Sequence, residues 1–426
     1  MTRSQTNRQR ALIALVEVLG LSVWFSATAV VPSLRLEWGI GSAAALWLTA
    51  AVQIGFAVGA VASAVLNLVD RTLPHYLLAA SALCAATCTA ALAAFATGPG
   101  TAIPLRFFTG MFLAGVYPVG MKLMASWSES ADRGRSFGIL LGALTLGSAL
   151  PHLISGLGPM PWRTMMLIAA AVTAAGSIVA LTMVRPGPCV HTGAITPNPR
   201  YAIALFAQRG PRLASLGYFG HMWELYALWT WLAMFVLTGR GVRGDEASST
   251  GLIAFVAIGI AGTTGCLLGG WASDRFGRPE TAVAALVISG ACCVASPMFF
   301  TAPTVVLVAF LLVWGAAVIA DSGTFSTSLT ETTNPQFVGT ALTTQTAVGF
   351  LLTVVPIQLV PFAADLIGWQ YAFLLLAPGP LLGAVAMSAL RAPAHHPHPM
   401  EERNDNERNT HNALRRSDRG ALTHRR

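Results

Sequence analysis

Gly269-Gly270-Trp271-Ala272-Ser273-Asp274-Arg275-Phe276-Gly277-Arg278 is a short, charge-dense stretch between two long apolar runs, Ser249 to Trp271 and Pro279 to Phe300. A soluble domain has no use for three charges in five residues between spans of membrane length. A chain that re-enters a bilayer needs such a polar turn. Asp274 can face the positive end of a neighbouring helix. Gly277 permits a tight turn, and Arg275 and Arg278 favour the cytoplasmic leaflet.

Composition extends this reading to the whole chain. The 426 residues are 54% hydrophobic and only 10% charged, against roughly a quarter charged in soluble chains. So few charges cannot cover a water-facing surface, and lipid must solvate most of the chain. The net charge of +8 sits in loops and tails, which argues against nucleic acid. Five of the six cysteines lie inside apolar segments, so they form no disulfide framework. Cys84 and Cys88 stand at helical i, i+4 spacing. With no His or carboxylate beside them, that spacing reads as small-residue packing and not as a metal site.

In chain order, residues 1–10 read as a basic N-terminal tail. The apolar run Ala11 to Val31 is too long for a signal-peptide core, contains Glu17, and leads into further spans, so it reads as a first transmembrane helix. Spans over about 42–66, 74–96, 101–126, 136–158 and 162–184 follow. The Pro-, Gly- and Arg-rich segment 185–212 is a linker. Six more spans cover about 213–238, 249–271, 279–300, 303–327, 338–362 and 369–390, and 391–426 is a polar tail expected to be disordered. The expected fold is thus all-α and integral to the membrane, with six-helix units at 11–184 and 213–390. Twelve spans put both termini on one side. That side carries twenty Lys and Arg against four on the other, or twelve against four without the long tail. The positive-inside rule places both termini in the cytoplasm, and a bacterial inner membrane is the expected location.

The order Gly-x-x-x-Asp-Arg-x-Gly-Arg, from Gly270 to Arg278, resembles the loop signature of the major facilitator superfamily. The resemblance covers about residues 11–390. It implies two pseudo-symmetric six-helix bundles rocking about a central site, with the signature between the second and third helices of a half. Internal landmarks agree with a parallel repeat. Asp70-Arg71 and Asp274-Arg275 are 204 residues apart, Glu129 and Glu331 are 202 apart, and Trp162 and Trp369 are 207 apart. The first copy is degraded, with Leu73 and Pro74 where a glycine and an arginine belong. The gating set expected from the resemblance is Asp70, Arg71, Gly270, Asp274, Arg275, Gly277 and Arg278.

Ionisable groups within a span are costly and mark transport paths. In this superfamily helices 1, 4, 7 and 10 line the central cavity. Here those helices carry polar and aromatic residues at helical spacing: Glu17 and Trp24 in the first, Arg106 and Tyr117 in the fourth, His221, Glu224 and Trp231 in the seventh, Trp314 and Asp321 in the tenth. His152 adds a polar group from the fifth. Arg106 opens an Arg-x-x-x-Gly that resembles the superfamily's fourth-helix signature. It is expected to join coupling or substrate binding, or else to pair with a carboxylate. Glu224 lies near mid-membrane by helical rise, where an ionised, unpaired carboxylate costs several kcal/mol. It is expected to carry the transported proton, with His221 one turn away tuning it and Arg106 as its alternate partner. Glu17 is the next candidate. Asp321, farther along its helix, is expected near the cytoplasmic mouth, in a proton path or as a gate latch. Trp24, Tyr117, Trp231 and Trp314 are expected in the pocket walls or in packing. Lys122, near the same mouth, is expected to snorkel.

Other chemistry is absent. There is no Gly-x-x-x-x-Gly-Lys-Ser/Thr for ATP and no Gly-x-Ser-x-Gly elbow. No cofactor or metal is expected, and no enzyme activity. The expectation is a monomeric, proton-coupled secondary transporter of a small organic solute, an anion if Arg106 is free to bind it. A proton-driven drug or metabolite exporter is the alternative: Glu17 and Arg106 loosely resemble multidrug exporters, although the fifth-helix Gly-Pro signature is missing. A transporter-like membrane sensor is a further alternative.

Overall fold

A backbone in hydrocarbon must satisfy its own hydrogen bonds, and each apolar run does so as a helix. The computed structural model describes residues 3–66, 68–128, 133–157, 160–188, 205–245, 249–334 and 337–391. Among them, twelve helices are long and apolar enough to cross a membrane. They are α1 (Arg3–Val31), α2 (Leu46–Val65), α3 (Pro74–Phe95), α4 (Pro99–Ser126), α5 (Gly134–Gly156), α6 (Trp162–Met183), α7 (Arg209–Arg243), α8 (Thr250–Phe276), α9 (Arg278–Phe299), α10 (Thr304–Thr332), α11 (Thr340–Ile367) and α12 (Trp369–Arg391). No strand occurs among the described residues.

Several boundaries differ from the sequence reading. The N-terminal segment expected as a tail is helical from Arg3, because nothing in it breaks a helix. α7 runs 35 residues without interruption, taking in Arg209 to Arg212 of the expected linker. The charged stretch around Asp274 is not a loop: α8 continues through it to Phe276, and the turn is Gly277 alone, at φ +106°. That backbone conformation suits glycine and few other residues. Most of the expected linker and nearly all of the 391–426 tail lie outside the described residues.

Four helices break inside their spans, among them α12, which passes through a 3-10 turn at Phe373–Leu376 before resuming at Pro378. α1 passes through a 3-10 turn at Leu21–Val23 before resuming at Ser26. α4 breaks between Leu113 and Tyr117. α10 breaks at Asp321, which ends one helical piece at Ala320 and precedes the next at Ser322. α8 instead carries a π-helical turn, Val256–Ala261. Broken turns free carbonyls that lipid cannot satisfy, so each break needs local donors.

Close helix contacts rest on small residues. Gly55 and Gly59 of α2 lie against the backbone of Phe107 and Met111 in α4, and Gly110 of α4 lies against Val52. Two contacts between the first six helices and the last six are the most extensive. α5 and α8 pack along their length, from Gly156 against Leu252 to Gly134 against Asp274. α2 meets α11, where the Phe56 and Phe350 rings sit 4.2 Å apart. The chain through Leu390 is one compact unit.

The two ends of this unit can be told apart by their contacts. At the near end, where α1 begins, Arg10 donates to the Trp127 carbonyl (Nη2 at 2.8 Å) and Arg209 to the Ala389 carbonyl at 2.7 Å. At the far end, Arg163 pairs with Glu37 at 3.5 Å, and Arg240 and Arg243 approach Asp245 at 3.9 and 3.6 Å.

Candidate functional site

A cavity of about 540 Å³ lies between α2, α4, α5, α7, α10 and α11. Its inner end is built of aromatic rings. Tyr226 and Phe350, 5.1 Å apart, line it, and Trp24 and Phe56 back them, with Trp24 5.8 Å from Tyr226 and 5.5 Å from Phe350. Trp24 and Phe56 are fully buried. This plug closes the cavity toward the far end. Toward the near end the lining includes Lys122, Ala125, Thr340 and the exposed Glu331. The walls are unlike one another: α2, α4 and α5 contribute mostly Ala, Met, Phe and Leu, whereas α10 and α11 contribute serines and threonines.

His221 of α7 is the polar group that joins this wall to the buried interior. Its Nδ1 lies 2.9 Å from Asp321 Oδ1, and its Nε2 lies 2.9 Å from Ser322 Oγ. A ring that accepts the Ser322 hydroxyl at Nε2 carries its proton on Nδ1, the nitrogen beside the carboxylate. The break in α10 makes this geometry. It turns the Asp321 side chain toward α7, while the Asp321 carbonyl accepts both the Thr324 amide, at 2.8 Å, and the Thr324 hydroxyl, at 2.6 Å. Asp321 is only 1% exposed. The expected place at the cytoplasmic mouth is therefore corrected: Asp321 lies behind the cavity wall as the partner of His221.

Glu224 is also placed differently. Its carboxylate accepts Trp314 Nε1 at 2.6 Å, Cys293 Sγ at 3.2 Å and the Ser289 hydroxyl. All four residues are buried, and none lines the cavity. Both of its oxygens are occupied by α9 and α10, so the expected pairing with His221 is not made. Trp314 accordingly faces Glu224 and not a pocket. Trp231 likewise serves packing, donating to the Ile357 carbonyl at 2.9 Å with its ring 5.7 Å from Trp369.

Arg106 is fully buried, and its guanidinium is spent on the broken turn of α1. It donates to the carbonyls of Val23, at 3.0 Å, and Trp24, to Ser26 Oγ at 3.3 Å and to the Leu48 carbonyl at 3.4 Å. Among the described residues it meets no carboxylate, because the freed carbonyls of α1 are its acceptors. Glu17 is fully buried against Gly120, and among the described residues its two oxygens have no hydrogen-bond partner. Tyr117, at the break of α4, lines the cavity. His152 is buried at the α5–α8 contact, its Nε2 without a partner among the described residues.

At the near end, Asp274 Oδ2 accepts the Arg135 backbone N–H at 3.0 Å. The carboxylate thus sits on the N-terminus of α5, where unpaired amides and the helix dipole favour negative charge. Gly270, one turn earlier, lies against Gly134 and Gly138. Arg278 pairs with Glu331 at 2.9 Å, joining the start of α9 to the end of α10. Arg275 and Arg71 are exposed. The side chain of Asp70 lies outside the described residues.

The helical stripes in the sequence missed Tyr218, Tyr226, Phe350 and the hydroxyls of α10 and α11. One signal was present: Ser322, Ser326 and Thr330 recur every fourth residue along one helix face.

The profile of the Major Facilitator Superfamily matches residues 13–356 and 267–422. A gentisate transporter of Corynebacterium glutamicum is 26% identical over 389 residues, covering 84% of this chain and 81% of the relative. The niacin transporter NiaP of Acinetobacter baylyi is 26% identical over 341 residues, covering 71% and 74%. Among solved structures, the human organic anion transporter MFSD10 superposes with a TM-score of 0.68 at 14% identity, covering 90% of this chain and 99% of that one.

Proposed function

The chain belongs to the major facilitator superfamily and is a secondary transporter, an integral membrane protein and not an enzyme; from that premise we propose that it moves a small organic anion together with protons. Two six-helix bundles, 11–184 and 213–390, rock about the cavity to give alternating access. Both termini face the cytoplasm of a bacterial cell in this reading, in line with the twenty-to-four distribution of Lys and Arg. The cavity would then be open to the cytoplasm. The relatives named for gentisate and niacin, both ring carboxylates, support an aromatic acid as cargo. Tyr117, Tyr218, Tyr226 and Phe350 supply surfaces for a flat ring, and Lys122 and His221 are basic groups in the same lining.

The observation that carries coupling is the His221–Asp321 contact at 2.9 Å, with His221 in the cavity wall and Asp321 behind it. His221 receives the transported proton from the cavity, and Asp321 orients the ring and stabilises its protonated form. An anion entering beside His221 favours that same form, which links cargo to proton. Glu17 remains in the proton pathway as a secondary member.

Reconstituted protein tests this directly. Asp321→Asn abolishes gentisate accumulation driven by a pH gradient but leaves gentisate counterflow in place, since exchange needs no net proton release. Unchanged gradient-driven accumulation by Asp321→Asn overturns the coupling assignment. Absence of counterflow with any aromatic acid in the wild type overturns the cargo.

A further inference from the structure

The asymmetry of the cavity walls goes beyond a preference for anions. Ser322, Ser326 and Thr330 stand on one face of α10, about 6 Å apart by helical rise, and form a row from His221 toward the mouth at Glu331. Thr343 and Thr346 line the cavity from α11. Not all of these hydroxyls are available as donors. Thr330 donates to the Ser326 carbonyl at 2.8 Å, and Ser322 is engaged by His221. Among the described residues, Ser326 Oγ and Thr343 Oγ1 take no intramolecular partner, and both line the cavity. The opposing wall is mostly apolar, with Ala60, Ala114, Met121, Leu141 and Leu144, and its hydroxyls are those of Ser63 and Tyr117.

We propose that Ser326 and Thr343 are specificity-determining residues that read ring hydroxyls of the cargo, so that a hydroxylated aromatic acid is preferred over a bare one. This inference rests on the aromatic-acid reading above. A ring laid between the walls puts its face on the aliphatic side chains and its edge on the hydroxyl row. If that edge carries hydroxyls, they replace the water displaced from Ser326 and Thr343. If it carries only C–H, both side chains lose their water and gain nothing, which is the penalty that lets a polar pocket reject an analogue lacking one hydroxyl. Each hydrogen bond gained or lost corresponds to roughly 3- to 10-fold in relative affinity.

Counterflow by the full chain in proteoliposomes, with gentisate and benzoate competing, measures this. Gentisate carries two ring hydroxyls and benzoate none. The wild type is expected to favour gentisate by at least about 3-fold. Ser326→Ala and Thr343→Val each bring the ratio toward one by lowering gentisate exchange, while benzoate exchange persists and reports an intact fold. Ser326→Thr, which keeps a hydroxyl, restores the preference. A wild type that exchanges benzoate as fast as gentisate overturns the inference and leaves the anion reading standing. So does an unchanged ratio in both variants. Exchange of neither acid overturns both.

Discussion

Replacing Glu224 separates a structural carboxylate from a coupling one. In Glu224→Ala, the indole N–H of Trp314, the Ser289 hydroxyl and the Cys293 thiol all lose their acceptor. Helix hydroxyls can turn back onto a carbonyl of the preceding turn, and a thiol is a weak donor. The indole of Trp314, fully buried, has no such escape. Its stranded donor costs about 1–3 kcal/mol, and the space left by the side chain adds about 1–2 kcal/mol. Glu224→Ala should therefore lose about 3 kcal/mol of stability in total. Glu224→Gln is milder. Its carbonyl oxygen can keep Trp314 and Cys293, and Ser289 need only rotate to accept from the new amide, at about 1 kcal/mol. The assay is thermal unfolding in detergent beside gradient-driven uptake and counterflow in proteoliposomes. The expected result is a clear drop in melting temperature and yield for the alanine variant. The glutamine variant is expected to transport with an unchanged pH profile. Loss of gradient-driven accumulation in Glu224→Gln with exchange intact would refute this reasoning and return the proton to Glu224.

Asp274→Asn exchanges a charge-assisted bond on the N-terminus of α5 for a neutral one, a loss of about 1–2 kcal/mol. That corresponds to roughly 5- to 30-fold in the balance between packed and separated near ends, and transport should fall much more than the amount of folded protein; a normal rate from well-expressed Asp274→Asn contradicts it. In a cysteine-free background, Thr72→Cys should react with membrane-impermeant thiol reagents only from the cytoplasm and Val242→Cys only from outside, so that reversed labelling overturns the orientation.

The fold was legible because hydrocarbon imposes a length and a composition on every span, and both are one-dimensional properties. The end of α8 at Gly277 was legible for a similar reason, since a charged residue beside a small one near a helix end has few uses in a bilayer, but the stretch before it, expected as a turn, is helix. Partnerships across helices were not. His221 and Glu224 lie one turn apart, and spacing alone paired them. The choice between Asp321 and Glu224 as the partner of His221 depends on the break in α10, where no proline or glycine at Asp321 itself announces it. Arg106 illustrates the same limit. Its role at the interrupted turn of α1 depends on Leu21–Val23 leaving the α-helix, in a stretch whose residues permit an unbroken one. The cavity wall on α11 was not legible because its contribution is a set of uncharged hydroxyls, which a span can carry without marking a path.

The π-helical turn of α8 settles a question of phase. Gly251 lies against His152 and Gly156 of α5, and Gly270, nineteen residues later, lies against Gly134 and Gly138 of the same helix. At about 100° per residue, nineteen steps of regular α-helix would leave the two glycines about 100° apart, one on α5 and the other turned away. A π turn absorbs about one extra residue, and so cancels about 100°. The insertion at Val256–Ala261 thus acts as a phase correction that lets one straight neighbour be followed from end to end. Regularising that turn with every residue kept would rotate one glycine set out of contact, whereas deleting a single residue there would leave about five whole turns of α-helix between Gly251 and Gly270 and keep both on one face.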